Sequence, residues 1–314
     1  MKIYTLDMLK SPLQGRYVAT IGFFDGVHRG HRFLLDFLRG VGRERGLATL
    51  VVTFPDSPSR VLRPQSEVPL LTTADEKCRL LEQCDVDSVV LLPFTHELSS
   101  LTAFEFMDQV LRRRLGVDVL VMGYDHRFGR GGAASFADDV AYGRSLGLDV
   151  VQAPAYHFDA AVGDVVVSSS AIREVLLQGE VEKARIGLGY DFFLEGQVTG
   201  GYHVGTSLGY PTANISVPAF KLVPADGVYA VRVELDGWKG AGMLNIGHRP
   251  TLDNGTNRSV EVHIFDFHEN IYSEHVRVSF VKFVRRETRF ESLDALKQQL
   301  QTDEAVCRRI LSLS

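Results

Sequence analysis

The feature that most constrains the fold of this chain is a regular alternation of strand-like and helix-like segments through its first half. Five short aliphatic runs have the length of strands, at residues 17–23, 48–54, 88–92, 117–122 and 148–152. Helical patterns lie between them, at residues 32–45, 74–84, 103–115 and 136–146. Strands that alternate with helices form parallel sheets covered on both faces. We therefore predict an α/β domain that binds ligands beyond the carboxyl ends of its strands.

The patterning changes from residue 191 onward, after two shorter helical patterns at residues 170–178 and 180–187. Four strand-like runs follow, at residues 227–235, 239–246, 259–267 and 275–284. The dipeptides Asp236-Gly237 and Asn254-Gly255 are turn signals between them. In the last run the alternation slips at Phe280, which predicts a β-bulge. Closely spaced strands with glycine-rich turns favour a small antiparallel β-barrel.

The chain ends in an amphipathic helical pattern, which we expect to pack on the barrel rather than to bind a partner. Its apolar stripe comprises Leu293, Leu296, Leu300, Cys307 and Ile310. A linker near residues 188–192 separates the two patterns. We therefore predict one domain over residues 1–187 and a second over residues 188–314, and we expect residues 189–314 to fold alone.

The amino-acid composition limits the kinds of ligand and environment that we expect for this protein. The 314 residues carry a net charge of −5, which disfavours a large nucleic-acid footprint and leaves small anionic ligands as the better fit. Three cysteines without a CxxC pair favour reduced, buried thiols. The sequence shows neither a signal-peptide core nor an apolar run long enough to span a bilayer. We expect a cytoplasmic protein away from membranes, as a monomer or weak homo-oligomer.

The first motif, GFFDGVHRGH at residues 22–31, directly follows the first strand and opens the first helix. Gly22 and Gly30 let the backbone approach a ligand closely, and the helix N-terminus presents unpaired N–H groups to an anion. His28 and His31 can donate hydrogen bonds to phosphate oxygens. Two alternatives stay open: the histidines cap and pack the loop, or they form part of a zinc site.

Two further segments carry polar groups toward the same half of the chain. Residues 123–129, with Asp125 and Arg127, follow the fourth predicted strand. The SSSAIR segment, with Ser169 and Arg173, precedes a short helix and has the groups to hold a pyrophosphate. The alternatives are a loop salt bridge for the first pair and helix capping for the serines.

The second half has its own oxygen-rich motif, GTSLGYPTAN, at residues 205–214. In an extended segment Thr212 and Asn214 point the same way and can share one Mg²⁺ ion. Gly201 and Gly205 bracket a loop whose backbone could cover phosphates. The alternative is a turn in which Asn214 bonds to its own backbone.

The alternating strand at residues 259–267 places Glu261 and His263 on one face, with Val262 and Ile264 on the other. A carboxylate at this position can accept the proton of a substrate hydroxyl. The alternative is an ordinary solvated strand face.

GFFDGVHRGH, GYDHRFG and SSSAIR resemble the Rossmann-like HxGH nucleotidyltransferase module of bifunctional prokaryotic riboflavin kinase/FAD synthetases. The resemblance implies that ATP phosphates contact His28 and His31, and that this module binds flavin and nucleotide. The implied binding residues are Gly22, Phe23, Asp25, Gly30, Asp125, Arg127, Ser169 and Arg173. The family commonly has Phe at the position of His126 and often His at that of Ser57, which bears on flavin affinity.

GYPTAN, PADGVY, NIGHRPT and EVHIFDF resemble the riboflavin kinase module, in the family's order and spacing. The resemblance implies Mg²⁺ at Thr212 and Asn214, Glu261 as the base, and substrate contacts at Gly201, Gly205 and Asn245. The implied enzyme uses ATP to convert riboflavin to FMN and FMN to FAD. Val204 departs from the Arg or Lys frequent there, which predicts weaker ATP binding. The alternatives are a monofunctional FAD synthetase with a decayed kinase and a flavin-binding regulator without turnover.

Overall fold

A computed structural model describes residues 1–5, 11–62, 68–124, 129, 135–156, 167–200, 209–248 and 258–313. They divide into two compact units, Met1–Val167 and Ser168–Ser314. Among the described residues, no helix combines the length and apolar character that a bilayer crossing requires. Cys78, Cys84 and Cys307 are buried free thiols, which confirms that prediction.

The first unit is built on a six-stranded parallel sheet with the order β1-β4-β3-β2-β5-β6. Its strands are β1 (Lys2–Thr5), β2 (Tyr17–Ile21), β3 (Ala48–Thr53), β4 (Ser88–Leu91), β5 (Val117–Met122) and β6 (Asp149–Gln152). The five predicted strands are confirmed, because their continuous apolar runs are buried on both faces. The edge strand β1 was not predicted, since four largely exposed residues carry no such run.

The helices of this unit are α1 (Arg29–Arg45), α2 (Pro58–Leu62), α3 (Ala74–Glu82), α4 (His96–Ser100), α5 (Ala103–Glu105) and α6 (Phe136–Leu146). A π-helix over Phe106–Arg112 continues α5, so the helix predicted at 103–115 is correct in place but not in backbone form. Its buried side chains, including Met107 and Leu111, share a core cluster with Ala19 and Leu120 of the sheet. The short helices α2 and α4 were missed.

The second unit is a closed barrel with the strand order β10-β11-β8-β7-β12-β9. Its strands are β7 (Phe193–Thr199), β8 (Ala213–Ser216), β9 (Gly227–Leu235), β10 (Trp238–His248), β11 (Arg258–Ile264) and β12 (His275–Arg285). The predicted barrel is confirmed, as is the bulge, because the β12–β9 register shifts between Phe280 and Lys282. β7 and β8 were not predicted.

Within the described part of the second unit, three helices accompany the barrel: α7 (Ser169–Leu177), α8 (Val181–Leu188) and α9 (Leu293–Ile310). On α9, Cys307 is buried and packs with Leu300 and Ile310 in one cluster. Leu293 was wrongly placed on the apolar stripe. It is the first residue of α9, and its side chain is 64% exposed.

The two helices α7 and α8 belong to the barrel unit by packing. The Ala225 N–H donates to the Leu176 carbonyl at 3.1 Å, and a Cβ at Gly179 would touch the ring of Phe283 at 3.3 Å. The boundary between the two compact units therefore falls between residues 167 and 168 of the chain. The division of function at 187/188 stays a prediction.

Candidate active sites

The 22–31 loop joins β2 to α1 and carries the two candidate catalytic histidines. His28 is the N-cap of α1, and its Nδ1 accepts a hydrogen bond from the His31 N–H at 3.3 Å. The two imidazoles stack, with ring centroids 3.5 Å apart and an interplanar angle of 15°. Both rings therefore lie at the first turn of a 17-residue helix, where the backbone favours an anion.

The backbone of this loop is strained and close-packed. Phe24 and Val27 have φ angles of +53° and +35°, a region that residues with a Cβ rarely adopt. A Cβ at Gly22 would lie 3.0 Å from the Phe24 ring, and one at Gly30 would lie 3.3 Å from the His28 imidazole. A side chain at position 30 would therefore push against the His28 imidazole, and glycine avoids this contact.

The buried carboxylate of Asp25 supports the 22–31 loop through hydrogen bonds to a distant segment. Its side chain is buried, and its carboxylate accepts the N–H of Leu71 at 3.1 Å and the N–H of Thr72 at 3.0 Å. The Thr72 hydroxyl accepts the Gly26 N–H at 3.1 Å. These bonds fix the loop to the segment before α3. The predicted contact of Asp25 with a ligand stays a prediction.

Lys77 of α3 is a further residue at this edge of the sheet, and the sequence reasoning missed it. Its ammonium group donates hydrogen bonds to the carbonyls of Phe23 and Phe54, which follow β2 and β3. Its side chain is fully buried. The signal that could have found it is its position on an apolar helical stripe with Leu81 and Cys84, where a lysine is exceptional.

The other predicted residues of the nucleotidyltransferase site belong to other segments of the chain. Ser168 caps α7 by accepting the Ala171 N–H at 3.2 Å, which confirms helix capping by this serine cluster. Ser169 and Arg173 lie on the first turns of α7, in the barrel unit, and their ligand contacts stay predictions. The Ser57 side chain is buried with its Oγ 2.7 Å from Ser59 Oγ. Outside the described residues lie Asp125, His126, Arg127, Gly201, Val204 and Gly205.

A row of polar side chains crosses four neighbouring barrel strands. Asn245 of β10 pairs with Glu261 of β11, Glu261 pairs with Asn214 of β8, and Asn214 pairs with Thr199 of β7. Side chains that are directly opposite in a sheet share a face. The register therefore brings three predicted site residues together and adds Thr199, which the sequence reasoning missed.

Thr212 directly precedes β8, two residues before Asn214 of this row. Its hydroxyl is 3.4 Å from Glu261 Oε2. The strand β11 also holds the preceding turn, because His263 Nδ1 is 2.8 Å from the Pro211 carbonyl oxygen. Glu261 thus has a threonine hydroxyl beside it and an asparagine on either flank.

Two pockets meet at Thr212. The Glu261 pocket, of about 310 Å³, is lined among others by Asn245, Glu261, His263 and Arg285. The Tyr272 pocket, of about 340 Å³, is lined by Ala213, Val262, Ile264, His268 and Tyr272. Thr212 lines both pockets. The predicted split of β11 into a polar and an apolar face is confirmed, since each face lines a different pocket.

The helix α9 closes one side of the Glu261 pocket. Arg285 of β12 binds Asp303 of α9 through both carboxylate oxygens, at 2.7 to 3.0 Å, and Gln299 donates to the same carboxylate at 2.8 Å. Asp303 is 2% exposed. Leu296 and Leu300 line the pocket from the same helix. A partly buried ion pair thereby fixes the helix that forms the pocket wall.

Two family models match the chain. Residues 10–171 match the model described as FAD synthetase, and residues 188–311 match the model described as riboflavin kinase. The first match contains the 22–31 loop, and the second contains the polar row of the barrel.

Curated proteins are similar to the chain over nearly its whole length. The bifunctional riboflavin kinase/FMN adenylyltransferase of Escherichia coli is 37% identical over 309 residues, which cover 98% of this chain and 96% of that protein. The protein of the same name from Listeria monocytogenes is 35% identical over 290 residues, covering 91% and 90%.

A solved crystal structure is also similar over the full length. It is described as a macrolide-efflux protein from Streptococcus pneumoniae, and it superposes with a TM-score of 0.87 at 32% identity, covering 98% of this chain and 99% of that one. The likeness extends the shared fold to both units. Efflux belongs to the description of that protein alone, whereas both family models and the curated relatives name flavin-synthesising enzymes.

Proposed function

This chain belongs to the family of bifunctional riboflavin kinase/FMN adenylyltransferases, and we propose that the 22–31 loop and the polar row of the barrel carry its two reactions. The enzyme phosphorylates riboflavin to FMN with ATP, and it adenylylates FMN with ATP to give FAD and pyrophosphate. The assignment of each reaction to particular residues is the proposal.

For adenylylation, a phosphate oxygen of FMN attacks the α-phosphorus of ATP, and the bond to pyrophosphate breaks. His28 and His31 donate hydrogen bonds to the phosphate oxygens on which charge accumulates. The His28 Nδ1 accepts the His31 N–H, so neutral His28 carries its proton on Nε2 and presents that N–H as the donor. Asp125, Arg127, Ser169 and Arg173 complete the nucleotide and flavin contacts in this proposal.

For phosphorylation, riboflavin occupies the Glu261 pocket and ATP the Tyr272 pocket. The ribityl 5′-hydroxyl attacks the γ-phosphorus, its proton passes to the Glu261 carboxylate, and ADP leaves. This arrangement is supported by the two faces of β11, because the base lines one pocket and apolar side chains line the other. Thr212 borders both pockets, at the place where the phosphoryl group has to cross.

The oxygen donors of Thr212 and Asn214 fit Mg²⁺, which prefers hard oxygen ligands and keeps several waters. The fit is supported by the Thr212 hydroxyl next to the Glu261 carboxylate and by Asn214 in the same row. When bound there, Mg²⁺ would neutralise charge on the ATP phosphates. Gly201 and Gly205 would cover the phosphates, and Asn245 would contact the substrate beside Glu261.

We also propose that the enzyme works in the cytoplasm on small molecules, without nucleic acid or a membrane, as a monomer or weak homo-oligomer. The buried free thiols support a reducing compartment, and the net charge of −5 supports small anionic substrates.

The position of Glu261, between Asn214 and Asn245 and beside Thr212, is the observation that carries the kinase proposal. We expect Glu261→Gln to lower riboflavin phosphorylation by ~10²–10⁴, since glutamine keeps the shape and removes the basicity. Adenylylation of supplied FMN should stay within twofold of wild type.

The matched control is Glu234→Gln, which makes the same change on the barrel strand β9 away from both pockets. Each half-reaction is assayed separately, with riboflavin or FMN as the starting flavin and chromatographic separation of the products. Full kinase turnover in Glu261→Gln would remove this carboxylate from the mechanism. Equal loss of both activities would point to misfolding.

A further inference from the structure

The carboxyl ends of β2 and β3 are joined by one buried ammonium group. Lys77 Nζ lies 3.0 Å from the Phe23 carbonyl oxygen and 2.5 Å from the Phe54 carbonyl oxygen. The same nitrogen is 4.4 Å from the centroid of the Phe23 ring, within cation–π distance. The Lys77 side chain is only 1% exposed, so these contacts are made out of water.

The backbone that Lys77 holds is the entry to the 22–31 loop. Phe23 directly precedes Phe24, whose φ of +53° is costly for a residue with a side chain. The Thr53 hydroxyl donates to the same Phe23 carbonyl at 3.0 Å. A strained conformation persists only when its surroundings over-determine it. Lys77 is one of the groups that hold the backbone at Phe24 in this conformation, through a buried, charged hydrogen bond to the Phe23 carbonyl.

The helix that carries Lys77 is itself fixed. Thr73 and Glu76 form a reciprocal capping box at the start of α3. One residue earlier, Thr72 binds Asp25 and Gly26 of the loop. The lysine therefore extends from a rigid helix start that already grips the loop at a second point.

From these contacts we infer that Lys77 is a positioning residue for FMN adenylylation, which sets the 22–31 loop so that His28 and His31 meet the phosphates of the nucleotide. This inference rests on the proposed role of the two histidines. Lys77 acts through its hydrogen bonds to the Phe23 and Phe54 carbonyls rather than through contact with either histidine ring. A misplacement of about 1 Å at a catalytic group can cost ~10²-fold in rate.

The charges around Lys77 give the inference a pH signature. Burial lowers the pKa of Lys77 from 10.5 to about 8, against the opposing effects of Asp25, Cys78 and Asp56. The unfolded chain then binds more protons than the folded unit between about pH 8 and 10.5, so stability rises with pH there. The charged donor is lost over the same range. If Lys77 positions the loop, the rate of FMN adenylylation should therefore fall between about pH 8 and 10.5, while the free energy of unfolding of this unit rises.

The test uses the full-length enzyme with Lys77→Met, which keeps the length of the side chain and removes its charge and donors. We expect kcat for FMN adenylylation to fall by roughly 10- to 100-fold, with the KM for ATP within threefold. The wild-type decline of kcat above pH 8 should be absent from the variant. Riboflavin phosphorylation by the same sample should be unchanged, which reports that the barrel unit is folded.

The matched control is Leu81→Ala, one turn further along the same face of α3, where the side chain is fully buried. It weakens the packing of the helix and leaves the Lys77 hydrogen bonds to the Phe23 and Phe54 carbonyls available. Both variants are compared at temperatures where circular dichroism shows a folded first unit. A positioning role requires a larger loss of kcat in Lys77→Met than in Leu81→Ala when both variants are assayed in the folded state.

Equal kcat losses in the two variants, or an unchanged pH profile in Lys77→Met, would overturn the inference. The His28→Ala/His31→Ala double variant separates this result from the proposed function. If the double variant still makes FAD, the role of the histidines is wrong. If it does not, and Lys77→Met retains wild-type kcat, the positioning role of Lys77 alone is wrong.

Discussion

The two candidate sites of this protein are built in opposite ways. The 22–31 loop places its histidines through a strained backbone, with a left-handed Phe24 and Val27, held by buried polar contacts from a distant segment. The barrel places Glu261 and Asn214 through strand register, in which each residue faces its neighbour across a hydrogen-bonded ladder. A loop site depends on remote supports, whereas a strand site is supported by the sheet itself.

Because the two sites are built differently, we expect amino-acid substitutions to affect their activities in different ways. In the loop, a substitution that touches no ligand should lower activity by moving the backbone. In the barrel, the strongest effects should come from the side chains that do the chemistry, because the ladder keeps their places. Each of the following tests separates the two designs.

The largest effect is expected when both histidines are removed. His28→Ala combined with His31→Ala should abolish FAD formation while FMN still accumulates, at a cost of roughly 10²–10³ in rate for each lost donor. Chromatography of the flavins formed from riboflavin and ATP measures both products in one sample. Unchanged FAD output from a folded double variant would refute the assignment of this loop.

An intermediate effect is expected on the stability of the isolated barrel. A fragment of residues 168–314 retains α7 and α8, whereas residues 189–314 lack them, with their buried Ile172, Leu176 and Val181. Losing that packing should cost about 3 kcal/mol or more, which lowers Tm by roughly 10 °C. Both fragments should phosphorylate riboflavin when folded.

Thermal unfolding followed by circular dichroism compares the two fragments. Equal Tm values would show that α7 and α8 add nothing to the barrel. A folded fragment of residues 189–314 without kinase activity would mean that the two sites are not separable at residue 188.

The smallest effect is expected at a glycine. Gly30→Ala places a Cβ 3.3 Å from the His28 ring, so the imidazole has to shift by a few tenths of an ångström. We expect a loss of about threefold to tenfold in adenylylation, because near-attack geometry is sensitive to such shifts. The control is Gly40→Ala on the same helix, where the added Cβ meets no atom within 4 Å. Gly40→Ala should raise Tm slightly and leave the activity unchanged. Equal activities of the two variants would contradict the loop model.

Much of this protein was predictable from patterns that repeat along the chain. The apolar runs of β2, β3 and β5 identified the parallel sheet, since buried strands need such runs. The turn at Asp236-Gly237 and the slip at Phe280 identified a hairpin and a bulge. The strands β1 and β8 were missed, because neither four-residue segment carries a continuous, buried apolar run.

The sequence by itself also determined which residue types stand ready for chemistry, such as His28, Thr212 and Glu261, because motifs are local in the chain. Tertiary structure alone decided what surrounds them. The pairing of Glu261 with Asn245 depends on strand register, and the bond from Lys77 to Phe23 joins residues 54 positions apart. Such contacts form only when distant segments pack together. A buried ammonium group has to be hydrogen-bonded, and the Phe23 and Phe54 carbonyls come together only after β2 and β3 have paired.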